Sequence, residues 1–442
     1  MKIHFIGIGG IGVSALAQYY LVKGHEVSGS DLALSEVTQF LNKKGIKITI
    51  GKHRTENLPK DVDLVVHSPA VQKDNPELLE ARKIETERGN LQILSYPEAL
   101  GELTKKYFTI AVSGTHGKST TSSMIALVLM KAGLDPTVFV GTKLKELGGT
   151  NFRIGKSKYL VIEADEWNAS FLNYWPKVIV LTSIEEEHLD YYRNLNHILK
   201  TYEEYISHLP EDGILIANRD DKNILRLKGQ NSKLKFRARN YSLTQKDAKK
   251  LGQILEIPGK HNVLNALATL NVARILRISD QTSFKALSEY AGVWRRFEVK
   301  EAQANNKDFI LISDYAHHPT EIEATLRATK TKFKNKKIWC VFQPHQYQRT
   351  YYLFNDFVKV FKKNAIDKLI ITDIYDVAGR EKKATKKQVN SERLVKKINK
   401  PKVIYLQKEK IINYLKKNLN GDEVVIIMGA GDIYKIVDEF ST

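Results

Sequence analysis

Short apolar runs with the alternation of strands recur along the chain, each followed by a loop and then by a stretch of helical periodicity. Lys2 to Ile6 reads as a first strand, Val13 to about Lys23 as a helix, and a second strand ends near Ser30-Asp31. Leu64 to His67 is strand-like, Ser68-Pro69-Ala70 is a turn, and Glu77 to Glu87 is a helix. Phe108, Ile110 and Val112 alternate as a strand that Ser113 to Gly117 cannot continue, and Ser122 to Ala132 has helical spacing. Further strands are expected at Tyr159 to Ile162, Val178 to Leu181, Phe309 to Ser313, Ile338 to Phe342, Leu369 to Thr372, Val403 to Leu406 and Val424 to Met428. Gln230 to Leu255 is polar and lysine-rich with little alternation, and reads as a short connection. Strands alternating with helices point to an α/β chain. At 442 residues it is too long for one ordinary core, so two to four domains are expected, and the strand-helix pattern divides the chain at 1–106, 107–296 and 297–442, with a hinge near Gly292 to Phe297.

Composition narrows the class. Cys340 is the only cysteine, which leaves no disulfide framework or cysteine metal site and suits a reducing cytoplasm. The apolar opening is interrupted by glycines at 7, 9, 10 and 12 and is followed at once by a second strand, unlike a signal peptide. No other stretch approaches 18 unbroken apolar residues, so no membrane span is expected. The net charge of +19 invites a nucleic-acid reading, but the lysines are spread as pairs such as Lys382-Lys383, Lys396-Lys397 and Lys416-Lys417 without interleaved aromatics. Solvated helix faces and attraction for small anionic substrates account for them better, and no nucleic-acid partner is expected.

Two glycine loops carry candidate chemistry. Gly7-Ile8-Gly9-Gly10-Ile11-Gly12 follows a strand and opens a helix, with Asp31 19 residues after the last glycine where a ribose hydroxyl would bind. Such a loop holds a dinucleotide or any other diphosphate. Gly114-Thr115-His116-Gly117 leads into Lys118-Ser119-Thr120, a strand-loop-helix arrangement that aims amides and a helix N-terminus at a polyphosphate. Lys118 would serve the β/γ-phosphates and the Ser119 hydroxyl would serve Mg²⁺, although Val112 stands where a full phosphate-loop signature has its first glycine. Glu163 and His188 follow strand ends, where doubly wound sheets bind ligands, and are candidate Mg²⁺ ligands. His261 and Asn262 precede a long helix that they either cap or free for contact with a purine edge. Asp314 to Pro319 and Gln343 to Arg349 are polar clusters after two strands of the last domain and suggest a cleft.

These stretches together resemble the Mur ligase superfamily, and within it the members that join L-alanine to UDP-N-acetylmuramate. The matching segments are GIGGIGVSALA at 7–17, SGTHGKSTT at 113–121, EADE at 163–166, GKHNVLNALA at 259–268, RRFE at 295–298, DYAHHPTE at 314–321, and FQPH followed by Arg349-Thr350. The resemblance implies an N-terminal Rossmann-like UDP-binding domain, a central P-loop ATPase domain and a C-terminal Rossmann-like domain. It implies ATP and Mg²⁺, UDP-N-acetylmuramate and L-alanine as substrates, an acyl-phosphate intermediate, and a cytoplasmic monomer or weak homo-oligomer. By position, Gly114, Thr115, His116, Gly117, Lys118, Ser119, Thr120, His261, Asn262, Asn265, Arg296 and Asp314 would serve the nucleotide, with Ser119, Glu163 and His188 on the metal. Gly7, Gly9, Gly10, Ile11, Gly12, Asp31 and Ser68 would hold the sugar nucleotide, and Tyr315, His317, His345 and Arg349 the acceptor side. Catalysis would fall to Lys118, Glu163, His188 and Arg349. The chain departs from the pattern at Ser183, where asparagine is usual, at Trp167-Asn168, and at Gln346, where the family has an arginine. A sister ligase that attaches recycled peptide shares several motifs, but the FQPH…RT segment favours alanine. A nicotinamide dehydrogenase would use Gly7 to Asp31 and leave Lys118 idle.

Overall fold

The computed structural model describes residues 1–189, 191–230, 236–377 and 383–440. Three sheets organise it. The first joins β1 (Lys2–Ile6), β2 (Glu26–Asp31), β3 (Lys47–Ile50), β4 (Leu64–His67) and β5 (Gln92–Ser95), all parallel, in the order β3-β2-β1-β4-β5. The second takes β6 (Phe108–Ser113), β7 (Thr137–Leu144), β8 (Thr150–Arg153), β9 (Tyr159–Glu163), β10 (Val178–Leu181), β11 (Ile214–Asn218) and β12 (Arg237–Tyr241). Its order is β12-β11-β10-β6-β9-β7-β8, parallel except at β8. The third contains β13 (Glu298–Ala304), β14 (Lys307–Asp314), β15 (Lys337–Phe342), β16 (Lys368–Ile371), β17 (Val403–Tyr405) and β18 (Glu423–Met428), in the order β13-β14-β18-β15-β16-β17. Only β13 is antiparallel there.

The chain forms two compact units. Met1–Glu185, Asn196–Gln245 and Leu264–Leu287 make the first, which holds the first two sheets; Glu186–Leu195, Lys246–Val263 and Ser288–Thr442 make the second, which holds the third sheet. In the first unit the helix Ile11–Val22 packs on its own sheet and also against the β7–β8 hairpin, where Tyr19 meets Phe139 and Phe152 at ring-centroid distances of 6.0 and 6.5 Å. Buried on both sides, it has no polar stripe. The helix Lys118–Lys131 is likewise buried from Thr120 through Leu129. In the second unit the third sheet is covered on both faces: Ile312, Ile426 and Met428 enter one core, Leu311, Val425 and Ile427 the other. Cys340, on β15, is fully buried, and burial holds its thiol pKa above the ordinary range.

Three expectations need correction. The segment read as a short connection after Gln230 contains β12 and the helix Lys246–Ile254, while 231–235 lie outside the described residues. As an edge strand β12 exposes Arg237, Ala238, Arg239 and Asn240 and buries only Tyr241, so there was no alternation to read. β13 was missed altogether; it pairs with β14 through a turn in which Asn305 and Asn306 have φ of 50° and 60°, the two positive values that a tight hairpin turn requires. The proposed hinge is pinned within the second unit: Phe297 N–H donates to the Asp314 carboxylate at 2.9 Å and Tyr315 N–H to the Arg295 carbonyl at 2.6 Å. Arg295 donates to the carbonyls of Gly429 and Gly431 from among the rings of Trp294, Tyr315 and Tyr434. The exposed side chains of Lys396, Lys397 and Lys417 agree with solvated helix faces, and Lys382 lies outside the described residues. Among the described residues no helix is long and apolar enough to cross a membrane.

A buried polar network stabilises the first sheet. Glu77, fully buried, accepts from Ser30 Oγ at 2.7 Å and Asn57 Nδ2 at 2.7 Å, and lies 3.0 and 2.8 Å from His4 Nε2 and His53 Nδ1. Burial alone would raise its pKa, but the hydrogen bonds from His4, Asn57, Ser30 and His53 outweigh it and hold the carboxyl at about 2. A depressed folded-state pKa contributes stability above the unfolded value near 4.5 that is lost as pH falls toward 2. Glu77→Gln should therefore cost up to about 3 kcal/mol at pH 7, by the rule of about 1.4 kcal/mol per pKa unit. The gap from the parent chain should close between about pH 4.5 and 2; urea midpoints across that range measure it, and a constant gap would contradict the assignment.

Candidate active site

β6 lies at the centre of the second sheet, between β10 and β9, and its C-terminal end opens into the loop Gly114–Gly117. That loop is fastened to the end of β10. Thr115 N–H donates to the Ser183 carbonyl at 2.9 Å, His116 N–H to Ser183 Oγ at 3.0 Å, and Glu185 N–H to Thr115 Oγ1 at 2.9 Å. Thr182 Oγ1 donates to the carbonyls of Ser113 and His116. Gly114 has φ +135°, and a Cβ there would stand 2.2 Å from Thr182 Oγ1, so only glycine fits. Gly117, at φ +82°, faces Asn265, whose Oδ1 would be 2.6 Å from an added Cβ. Asn265 thus stands at the loop. The amides of Thr115 and His116 are already spent on Ser183, which leaves the helix N-terminus at Lys118 as the anion-facing end.

Lys118 Nζ donates to the Gly114 carbonyl at 2.7 Å and to the Glu166 carboxylate at 2.8 Å. Burial would lower its pKa, but Glu166, Asp165 and Glu163 outweigh that and keep the ammonium charged. Ser119 Oγ donates to Glu163 at 3.0 Å, and Glu163 also accepts from Gly141 N–H. Thr120 is buried in the same first helical turn. Three carboxylates therefore face one ammonium and one hydroxyl, an oxygen-rich donor set with surplus negative charge that fits a hard divalent cation. Glu166 was not singled out from the sequence, although it sits in the EADE segment.

The N-terminal loop occupies the point of the first sheet where strand order reverses between β1 and β4. Gly7 has φ +76°, with Ser68, at the end of β4, 3.0 Å from where its Cβ would be. Asp31 is engaged by the loop itself, accepting from Gly9 N–H at 2.8 Å and Ala33 N–H at 3.2 Å. Gly10 N–H turns back to the Gly7 carbonyl, and the Ile11 carbonyl accepts from Asn151 Nδ2 at 2.6 Å. Gly12 packs against Tyr96.

In the second unit the acceptor-side candidates gather. Tyr315 and His317 are edge to face at 5.4 Å, and His317 and His345 at 5.9 Å. Arg296 lies over the Tyr315 ring at 4.9 Å and pairs with Glu321 at 3.4 Å. His317 Nδ1 is 3.2 Å from Glu321, yet burial, helped by Arg349 and Arg296, pulls its pKa down to about 4 and leaves it neutral. Asp314, buried, is pushed up to about 6 by burial against the pull of Arg296 and two backbone amides. Arg349 is not open. Its Nε and Nη2 both lie 2.9 Å from Glu187, and its Nη1 faces His345. Glu187 lies next to His188, which has φ 54°; both line a small cleft with Gln346, Gln348, Arg349 and Tyr352. Nothing separated Glu187 from its neighbours in the run Glu185-Glu186-Glu187. Near the start of the helix Lys260–Ile275, Asn262 Nδ2 donates to the Pro258 carbonyl at 2.7 Å, and Gly259, at φ +109°, packs against the His261 ring.

Three family models cover most of the chain: "Mur ligase family, catalytic domain" over 2–108, "Mur ligase middle domain" over 112–273 and "Mur ligase, glutamate ligase domain" over 295–431. The chain belongs to the Mur ligase family. Within it, the chain is 43% identical to a UDP-N-acetylmuramate–L-alanine ligase of Acetivibrio thermocellus, covering 99% of this chain and 95% of that one. It is 42% identical to the enzyme of the same name from Aquifex aeolicus, covering 99% and 97%. A UDP-N-acetylmuramate-alanine ligase structure from Thermotoga maritima matches with a TM-score of 0.79 at 28% identity over 100% and 98% of the two chains. A murein peptide ligase from Psychrobacter arcticus matches at 0.72 and 23% identity, which speaks for the shared fold.

Glu187 and Arg349 are both nearly excluded from solvent, and burial, which would raise the Glu187 pKa, is overcome by Arg349 and neighbouring histidines. Removing one charge of such a pair leaves the other buried without compensation. Glu187→Gln should cost about 3 kcal/mol of stability. Denaturant midpoints test this, and an unchanged midpoint would show that the pair contributes nothing.

Proposed function

We propose that this chain joins L-alanine to the lactyl carboxylate of UDP-N-acetylmuramate, converting ATP to ADP and phosphate, in peptidoglycan precursor synthesis. The observation that carries this reading is the pairing on one loop of Lys118, held charged beside Glu166, with Ser119 hydrogen-bonded to Glu163. Such a site suits phosphoryl transfer, where the protein positions the groups and offsets developing charge. The alanine-ligase name on relatives above 40% identity along nearly the whole chain supports the substrates.

In this reading Gly114, Gly117 and the helix beginning at Lys118 receive the triphosphate, and Lys118 exchanges its backbone and carboxylate partners for phosphate oxygens. Ser119, Glu163 and His188 would hold Mg²⁺, which supplies charge neutralisation on the β- and γ-phosphates. The loop Gly7 to Gly12, with Asp31 and Ser68, receives the diphosphate of the sugar nucleotide. A substrate carboxylate oxygen forms a bond to the γ-phosphorus as the bond to the ADP oxygen breaks. The alanine nitrogen then bonds to the acyl carbon, phosphate leaves, and the amine loses a proton. Arg349, with Tyr315, His317 and His345 nearby, accepts the alanine carboxylate, and His261, Asn262, Asn265, Arg296 and Asp314 serve the nucleotide. A reaction that draws on ATP and a nucleotide sugar fits a cytoplasmic enzyme.

Phosphate release that requires both UDP-N-acetylmuramate and L-alanine, and is indifferent to NAD and nucleic acid, is the expected behaviour; release independent of the sugar nucleotide would overturn the reading. Lys118→Ala should lower turnover about 10²-fold or more with the fold intact by circular dichroism. Arg349→Ala should raise the KM for alanine more than any change at Gln346. Gln346 offers only a neutral amide, and a hydrogen bond to a charged group contributes roughly 1.5–3 kcal/mol against about 1 for a neutral one. Gln346→Arg should therefore lower the alanine KM by up to about tenfold, read from initial rates with alanine, glycine and serine; an unaltered KM in Arg349→Ala would move the carboxylate elsewhere.

A further inference from the structure

We infer that Tyr96 positions the sugar nucleotide by donating a hydrogen bond from its hydroxyl to an oxygen beyond the UDP moiety, on the sugar or its lactyl group. This rests on the proposed function. Tyr96 directly follows β5 and is the first residue of the helix Tyr96–Thr104. β5 lies beside β4 on the side of the first sheet past the reversal of strand order, so Tyr96 stands at the same carboxyl-end crevice as the Gly7 to Gly12 loop and Ser68. Its backbone is firmly set. Ser95 Oγ and the Glu98 carboxylate form a reciprocal cap, with Ser95 N–H donating to Glu98 at 2.7 Å, and Pro97 occupies the first turn.

The side chain leans over the last glycine of the loop. A Cβ on Gly12 would lie 2.6 Å from the Tyr96 ring carbon that bears the hydroxyl and 2.7 Å from the hydroxyl oxygen itself. The glycine therefore makes room for this phenol, and any larger residue would displace it. On the other side, its helix packs against the turn Trp167–Asn173 that follows Glu163 and Asp165, with Gly101 against Asn173; burial first, and then those two carboxylates, hold the phenol pKa above its ordinary value, so the group is a neutral donor. Tyr96 is half-buried, and no hydrogen bond among the described residues uses its hydroxyl. Tyrosine hydroxyls in such places usually find a partner.

The hydroxyl is thus located between the loop that would take the diphosphate and the acids beside the ATP loop. The part of UDP-N-acetylmuramate that must span that interval is the sugar with its lactyl group, because the diphosphate is fixed at one end and the carboxylate must reach the γ-phosphate at the other. A donor aimed into the interval fixes how far and at what angle the carboxylate projects. Misplacement of this kind is costly in a transfer that depends on near-contact geometry.

The test is Tyr96→Phe, which keeps the ring against Gly12 and removes only the hydroxyl. Calorimetric titration of the full chain with UDP-N-acetylmuramate should show an affinity about three- to tenfold weaker than the parent's, in line with one lost hydrogen bond. Affinity for UDP, the KM for ATP and the thermal midpoint should not move. An unchanged affinity for UDP-N-acetylmuramate would overturn the inference and leave Tyr96 a spacer for Gly12; an equal loss for UDP would overturn it by placing the contact on the nucleotide. If the parent chain binds UDP but not UDP-N-acetylmuramate, the proposed function fails instead, and the parent titration alone reveals it.

Discussion

The grip of β10 on the loop after β6 is the constraint from which the rest of the first unit's site follows. A loop bounded by two glycines at positive φ is a poor scaffold on its own, because the backbone freedom that lets it approach a ligand also lets it wander. Here Thr182 and Ser183 take up that freedom, binding the loop from Ser113 to His116 through both backbone and side-chain atoms. Ser183, a departure from the family pattern in sequence, is a structural clamp in the fold. With the loop immobilised, the helix beginning at Lys118 has one direction to point, and the short side chains of its first turn fall beside the carboxylates that end β9.

Charge in that pocket is arranged in tension. Glu163, Asp165 and Glu166 converge on Lys118, and no single ammonium neutralises three carboxylates. The side chain of Lys118 folds back onto its own loop carbonyl and Glu166, where a carbonyl dipole and an opposite charge both satisfy it. The second unit solves the same problem with a closed pair. Glu187 neutralises Arg349, and burial keeps the nearby His317 ring neutral. In the proposed function an alanine carboxylate would meet a guanidinium that Glu187 already satisfies, so its affinity would reflect the difference between two carboxylates and not the full strength of a salt bridge.

Much of this was legible beforehand. β1, β4 and β10 end where their apolar runs end, because a parallel strand buried on both faces leaves a continuous hydrophobic signature. The helices at Ile11 and Lys118 start earlier than periodicity suggested, since their first turns are given to Gly12, Ser119 and Thr120, small residues chosen for the site and not for the core. β12 was invisible because it buries almost nothing, and β13 because Glu298, Lys300 and Glu301 fall on both of its faces and break the alternation; the Asn305-Asn306 pair was the signal that would have revealed it. Within β7 the apolar pattern breaks at Gly141, which is exposed and whose amide serves Glu163. Of the site, the glycines and Lys118 announce themselves, because phosphate binding demands that chemistry in that order. Glu187 and Tyr96 do not, since an acid among acids and a tyrosine before a proline acquire meaning only from what the fold places opposite them.

The solitary thiol has a practical bearing. Cys340 sits in the middle of the third sheet, packed between strands, with burial holding it in the unreactive protonated form. Maleimide and iodoacetamide reagents should pass over the folded chain, and any labelling that appears on warming or in denaturant reports the opening of that sheet and nothing else. The molecule therefore carries its own unfolding probe, and it offers a silent background on which a fluorophore or spin label can be attached at one introduced surface cysteine without first removing a native one.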